Sequence, residues 1–302
     1  SDVNVLPAEL EFDAPDFFAE IADETRTQLD SSNHVMWNEG DAITIFKKSD
    51  HNMKYSAHSL SDSRTSFSFT YTKEYVRHTG TKYYSYIGVY PYRETNTMVD
   101  NIVTFSIPAI QTYQSGNEFG YIPMVAKSYS LNLRFQAPSS VFRLNLSKVD
   151  DPTNPQYLLK SVTLNSATTD IAGMVDVNML SDELKAVVDP SAGTTSKSVI
   201  LDLEEGVELT TTPQSFFIAL PVFSVPANDL TVTFEVEVDG KAYSVKKTLV
   251  IDMDFVAGRM KSVTLPLNAE EFSGSTGESV GGNIIENENI VKNDDGSYTC
   301  PI

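Results

Sequence analysis

At 302 residues the chain exceeds what one core commonly holds, about 250–300 residues, so two domains are expected. A formal net charge of −19 argues against DNA or RNA as partners, because a phosphate binder needs a basic face. The single cysteine, Cys300, excludes an intrachain disulfide, so packed cores must hold the folds, and 41% hydrophobic residues suffice for that.

No apolar stretch is long enough to cross a bilayer as a helix. The opening Ser1-Asp2-Val3 has no Met and no signal peptide, as a mature or trimmed chain would.

In chain order, Phe17–Ile21 and Thr25–Leu29 read as short strands. Ala42–Lys48 alternates, with Ile43 and Ile45 on one face. Ser66–Tyr71 places Phe67, Phe69 and Tyr71 on one face, the pattern of a half-buried strand. Tyr83–Tyr90 is aromatic and apolar and stops at Pro91. Ile102–Ile107 stops at Pro108. Leu131–Phe135 and Val141–Leu146 flank Ala137-Pro138-Ser139. The turn formers Val149-Asp150-Asp151-Pro152-Thr153-Asn154-Pro155 mark a domain boundary, giving an N-terminal domain over 1–150 and a second over 151–267.

The second half continues with strands over Tyr157–Leu164, Val175–Met179, Ser198–Leu203, Ser215–Phe223, Leu230–Val238, Lys241–Ile251 and Met260–Leu267. Ser181–Val188 alone reads as a short helix. Asp239-Gly240 suits a type I′ turn, whose two central residues both need positive φ. Pairing outward from it sets Val236 opposite Tyr243 and Phe234 opposite Val245, with Glu235 and Ser244 on the other face. Residues 268–302 are rich in Gly, Ser, Asn and Glu and read as an acidic tail or arm with two apolar islands, Ile284-Ile285 and Ile290-Val291. The fold class is therefore all-β: two tandem antiparallel β-sandwich domains and a C-terminal tail. Phe67, Phe69, Val236 and Tyr243 are expected to point inward.

Chemistry is sparse. His34, His51, His58 and His78 form no metal-ligand spacing, and Cys300 has no His motif near it, so neither a metal site nor a nucleophile is predicted. No P-loop, G-x-S-x-G or G-x-G-x-x-G is present, so no cofactor is expected. Asp294-Asp295-Gly296 lacks the ligand spacing of a calcium loop and reads as a turn. Tyr83, Tyr84, Tyr86, Tyr90 and Tyr92 could form a sugar platform, but strand packing is the simpler reading. Trp37 is expected in the core.

Several fragments nevertheless carry a resemblance. Asp23-Glu24-Thr25-Arg26-Thr27 is similar to an early "TRT" strand. Trp37-Asn38-Glu39-Gly40-Asp41-Ala42-Ile43 resembles a W-x-x-G-D-x-I run. Tyr86-Ile87-Gly88-Val89-Tyr90-Pro91-Tyr92 resembles a Y-x-A-x-Y-P-Y strand, with Gly88 where Ala is usual. Ile107-Pro108-Ala109-Ile110-Gln111 resembles an "IP-x-x-Q" element, and Pro123-Met124-Val125-Ala126 a "P-M-x-A" element. Ile171-Ala172-Gly173 and Phe255-Val256-Ala257-Gly258-Arg259 fall where second-domain repeats would. In this order the fragments resemble the fimbrillin family of Bacteroidia-type bacteria, pilus subunits assembled from lipoprotein precursors by protease-triggered strand exchange. The segment from Phe135 to Ser140 departs from the family's pattern, and the tail has no evident counterpart.

The resemblance implies two transthyretin-like sandwiches, no catalytic site, and export with lipidation upstream of residue 1. It also implies a non-enzymatic adhesive or structural role in a fimbrium at the outer membrane and cell surface. The implied partners are other pilus subunits and a host or bacterial surface ligand. Membrane attachment would come only through the upstream lipid anchor. Processing would fall at Arg26-Thr27, and Ile284, Ile285, Ile290 and Val291 are candidates for a donated strand. The alternative is a surface glycan-binding lipoprotein of a polysaccharide-uptake system, which would show coplanar exposed aromatics in a concave site.

Overall fold

Strands form wherever the chain alternates apolar and polar residues between turn formers, and no helix occurs among the described residues. The computed structural model describes residues 17–21, 37, 40–47, 51–59, 65–69, 85–115, 122–268, 284–287, 291–292 and 298–299. In chain order the strands are β1 (Phe17–Ile21), β2 (Ala42–Lys47), β3 (Met53–Ser59), β4 (Thr65–Phe69), β5 (Tyr86–Tyr90), β6 (Thr97–Val99), β7 (Ile102–Ile107) and β8 (Ile110–Thr112). Next come β9 (Met124–Ser128), β10 (Asn132–Phe135), β11 (Ser140–Lys148), β12 (Tyr157–Ser166), β13 (Gly173–Asn178), β14 (Val187–Val188), β15 (Ser198–Leu209) and β16 (Gln214–Leu220). The last are β17 (Phe223–Val225), β18 (Leu230–Val238), β19 (Lys241–Thr248), β20 (Met253–Phe255), β21 (Met260–Leu267), β22 (Ile284–Asn287), β23 (Val291–Lys292) and β24 (Tyr298–Thr299).

The chain divides into two compact units that interleave in sequence. The first comprises residues 1–105, 122–138 and 176–184, and the second residues 106–121, 139–175 and 185–302. Residue 150 lies in the turn between β11 and β12, both in the second unit. β11 joins that unit because it pairs with β16 and, in parallel, with β21 far along the chain. No local pattern announces such a pairing.

The first unit is built on one sheet in the order β10-β1-β4-β3-β2-β5-β9. Its end strands meet: Val125 and Gln136 exchange two backbone hydrogen bonds of 2.9 Å, which curls the sheet closed on itself. Closure removes the free edges that invite aggregation. Inside lie Phe17, Ala19, Trp37, Ile43, Ile45, Tyr55, Tyr90, Met124, Leu133 and Phe135. Ile43 and Ile45 face this core as the alternation requires, yet Thr44 and Phe46 on the opposite face are also fully buried. Thr44 keeps its hydroxyl satisfied there, donating to Asn52 Oδ1 at 2.6 Å and accepting from Asn96 Nδ2 at 3.0 Å.

The second unit pairs a sheet in the order β22-β19-β18-β12-β15-β8 with another in the order β16-β11-β21-β24-β23. Their facing side chains, among them Phe142, Leu144, Val162, Leu164, Phe216, Ile218, Phe234 and Leu265, make one apolar core. Asp239 and Gly240 both have positive φ (48° and 81°), and the register sets Val236 against Tyr243, Phe234 against Val245 and Glu235 against Ser244. Val236 is buried and Tyr243 packs against the core, as the alternation predicts. Phe67 and Phe69 lie in β4, where only the strand itself is described. In β12 the buried positions shift from Tyr157 and Leu159 to Val162 and Leu164, a change of parity. A bulge between Leu159 and Ser161 absorbs it and keeps both pairs inside.

The expected helix over Ser181–Val188 is absent: the chain turns after Asn178 and runs irregularly into β14. The Asn178 side chain accepts the Leu180 N–H at 3.0 Å, and its carbonyl accepts the Ser181 N–H at 3.1 Å. These local bonds compete with helix formation, and a segment of about two turns is too short to repay its own nucleation.

Candidate assembly site

The motif fragments of the first half meet in three dimensions. Gly40 takes φ of 87°, a turn that only glycine makes cheaply, and leads into Asp41 and β2. The Tyr90 hydroxyl donates to Asp41 Oδ1 at 3.3 Å, and the Trp37 ring meets the Tyr90 and Phe135 rings edge-on at 5.4 Å each. β5 pairs with β9 so that Gly88 faces Ala126 and Tyr90 faces Met124. Gly88 has a steric reason: a Cβ there would lie 2.7 Å from Phe135 Cζ. Trp37 is 8% exposed, so it packs into the core as expected. Tyr86 packs edge-on against Phe17, Tyr90 is buried, and Tyr92 lies under Lys54 Nζ, whereas Tyr83 and Tyr84 fall outside the described residues.

The "IP-x-x-Q" element has a different task. β8 is an edge strand of the six-stranded sheet, and β16 is an edge strand of the five-stranded one. Gln111 bridges them. Its Oε1 accepts the Ala219 N–H at 2.9 Å, and its Nε2 donates to the Ala219 carbonyl at 2.9 Å and to Pro108 O at 3.1 Å. At 4% exposure this amide acts as a one-residue strand along β16. Sequence alone marks the glutamine but not its partner.

β1 lies between β10 and β4 in the seven-stranded sheet. It runs parallel to β10 and antiparallel to β4, with Phe18 opposite both Asn132 and Ser66. Phe17 and Ala19 are fully buried, and the Phe17 ring meets Tyr55 and Tyr86 edge-on at 5.0 Å each. Glu20 is exposed and reaches Arg134 at 4.0 Å, a contact worth little in water. The candidate processing residues Arg26 and Thr27 lie outside the described residues, as does Ile290.

The other tail residues fall on sheet edges of the second unit. Ile284 and Ile285 form the start of β22, parallel to β19, with Ile284 opposite Ser244 and Ile285 opposite Val245. Val291 belongs to β23, which pairs with β24, and β24 lies parallel to β21.

Titration at the described groups is modest. Burial raises the Glu235 carboxyl above its ordinary value, and the Ser244 hydroxyl, donating to it at 2.7 Å, works in the other direction. Burial also lowers Arg143, whose Nε donates to Ser215 Oγ at 2.9 Å. Asp151 is lowered by the backbone and side-chain bonds it accepts from Thr153, as in a turn. Among the described residues no three His, Cys, Asp or Glu side chains gather as a metal site would require.

Comparison with known proteins places this architecture. No protein-family model and no curated protein matches the chain. Among solved structures, a candidate cell adhesion protein from Bacteroides ovatus superposes with a TM-score of 0.52 at 13% identity, over 83% of this chain and 91% of that one. The two share a fold. A second candidate cell adhesion protein, from Bacteroides uniformis, gives 0.45 at 15% identity over 87% and 95% of the two chains. A fimbrial protein from Bacteroides vulgatus gives 0.38 at 10% identity over 84% and 95%.

Proposed function

We propose that the protein is a non-enzymatic subunit of a surface fimbria, exported and displayed outside the cell, and joined to other subunits by replacement of β1. The observation that carries this reading is β1 itself. It is a short strand near the start of the chain, and it fills a slot between β10 and β4 with two fully buried side chains. Arg26 follows it closely in sequence. Cutting there frees the strand, leaves backbone donors and acceptors of β10 and β4 unpaired, and opens the space over Tyr55 and Tyr86. Loss of Phe17 alone forfeits about 1.5–3 kcal/mol of burial, and a strand from another subunit restores it. Main-chain bonds supply the affinity, and alternating pockets supply the register. The adhesion description of the Bacteroides ovatus protein with the same fold supports the same reading.

Treatment of the folded protein with an Arg-specific protease tests it. Cleavage after Arg26, followed by chains that require residues 268–302, is the expected result. Resistance at Arg26, or a cleaved protein that stays monomeric with its tail intact, refutes strand exchange.

A further inference from the structure

The outer face of the five-stranded sheet carries a cation with no acid beside it among the described residues. β11 alternates, so Phe142 and Leu144 enter the core of the second unit while Arg143 and Asn145 stand on the opposite face. The register sets Arg143 opposite Phe217 and Asn145 opposite Ser215 on β16, and Asn145 opposite Thr264 on β21. All five residues belong to the second unit.

Arg143 is held in place. Its Cζ lies 5.9 Å from the centroid of the Phe217 ring, within cation–π reach, and its Nε donates to Ser215 Oγ at 2.9 Å. Phe217 is 6% exposed, so the ring beneath the guanidinium is itself fixed by packing. Ser215 Oγ donates in turn to Asn145 Oδ1 at 2.8 Å, and Asn145 Nδ2 points to Thr264 Oγ1 at 3.4 Å. Every donor in this row is spent in one direction, and Arg143 heads it. Among the described residues no carboxylate pairs with Arg143, and its Nη groups make no hydrogen bond. Burial lowers its pKa, and no neighbouring charge works against that. A partly buried charge is ordinarily answered by an opposite one. This chain has 41 Asp and Glu against 22 Lys and Arg, so acids were not scarce.

A fixed guanidinium fork matches a carboxylate through two parallel hydrogen bonds. The amide and hydroxyl groups beside it suit a ligand that also carries hydroxyls. The net charge of −19 repels a polyacidic protein segment most and a ligand with one carboxylate least. We propose that Arg143, together with Ser215, Asn145 and Thr264, binds a saccharide bearing a carboxylate, a uronate or a sialate. The side chain is already ordered, so little rotamer freedom is lost on binding. The site is independent of β1 and of strand exchange.

The uncleaved protein is applied to an array of glucuronate-, galacturonate- and sialate-terminated oligosaccharides, each beside its methyl ester, which keeps the hydroxyls and removes the charge. Binding to at least one acid form and at least tenfold weaker binding to its ester is the expected result. Arg143→Lys keeps the charge and loses the fork, so it should weaken that binding at least tenfold while the thermal midpoint stays close to wild type. Ser215→Ala, which releases Nε, should weaken it less. Polyglutamate should fail to compete. No binding to any acid form, equal binding to acid and ester, or undiminished binding by Arg143→Lys overturns the proposal. Effective competition by polyglutamate overturns the assignment to a saccharide. None of these outcomes bears on cleavage at Arg26 or on chain growth, which are measured separately.

Discussion

Replacing Gln111 by alanine removes the amide that joins β8 to the edge of β16 and touches no other part of the sheets. Two main-chain groups of Ala219 lose their partner, since the N–H donates to Oε1 and the carbonyl accepts from Nε2, both at 2.9 Å. The site is almost dry, with Gln111 at 4% and Ala219 at 3% exposure. Each orphaned buried group costs about 1–3 kcal/mol, so the expected loss is roughly 2–4 kcal/mol once some water enters. Gln111→Glu separates hydrogen bonding from bulk. The ionised carboxylate still accepts from the Ala219 N–H but opposes two carbonyl oxygens, those of Ala219 and Pro108. Its acid form can donate to one of them. The variant carboxyl therefore has a folded pKa above its unfolded value. Its stabilising contribution is full below the unfolded pKa and is lost as pH rises through the folded one. Urea titrations followed by circular dichroism at pH 4 and pH 7.5 measure both effects. Gln111→Ala should lower the midpoint at both values, whereas Gln111→Glu should lie near wild type at the acid end and fall away at the other. A loss below about 0.5 kcal/mol for Gln111→Ala, within the scatter of ordinary surface substitutions, would refute the staple.

Trp37→Ala should cost about 3–5 kcal/mol, because it empties the space between Tyr90 and Phe135, and the thermal midpoint reports it; an unchanged midpoint with a lost glycan interaction would favour the polysaccharide-uptake alternative. Glu235→Gln tests the raised carboxyl. Its neutral form is favoured in the fold, so the stability it contributes is complete below the unfolded pKa and declines as pH rises through the folded one. The glutamine variant should be the more stable protein at neutral pH and should lose that advantage in acid, as read by calorimetry across pH 4 to 8; a pH-independent difference would show that Glu235 is not the titrating group.

The sequence alone determined the local parts of this protein. Alternation placed β7, β18 and β21, because a strand with one buried face needs apolar residues at period two. The Asp239-Gly240 turn set the β18–β19 register without help from the rest of the fold, since only a few residue pairs accept two positive φ angles. The same reasoning missed β3, whose run Met53-Lys54-Tyr55-Ser56-Ala57-His58-Ser59 has too little apolar contrast, although Met53 and Tyr55 are buried. It also read a helix into Ser181–Val188, where hydrogen bonds to Asn178 prevail. Only the tertiary structure decided the long-range partners: β1 against β10, β11 against β21, Gln111 against Ala219, and the tail strands against β19 and β21. The physical reason is the same in each case. A strand's pattern states which face is buried, but its edges are backbone, alike in every residue but proline, and carry no record of which neighbour they will meet.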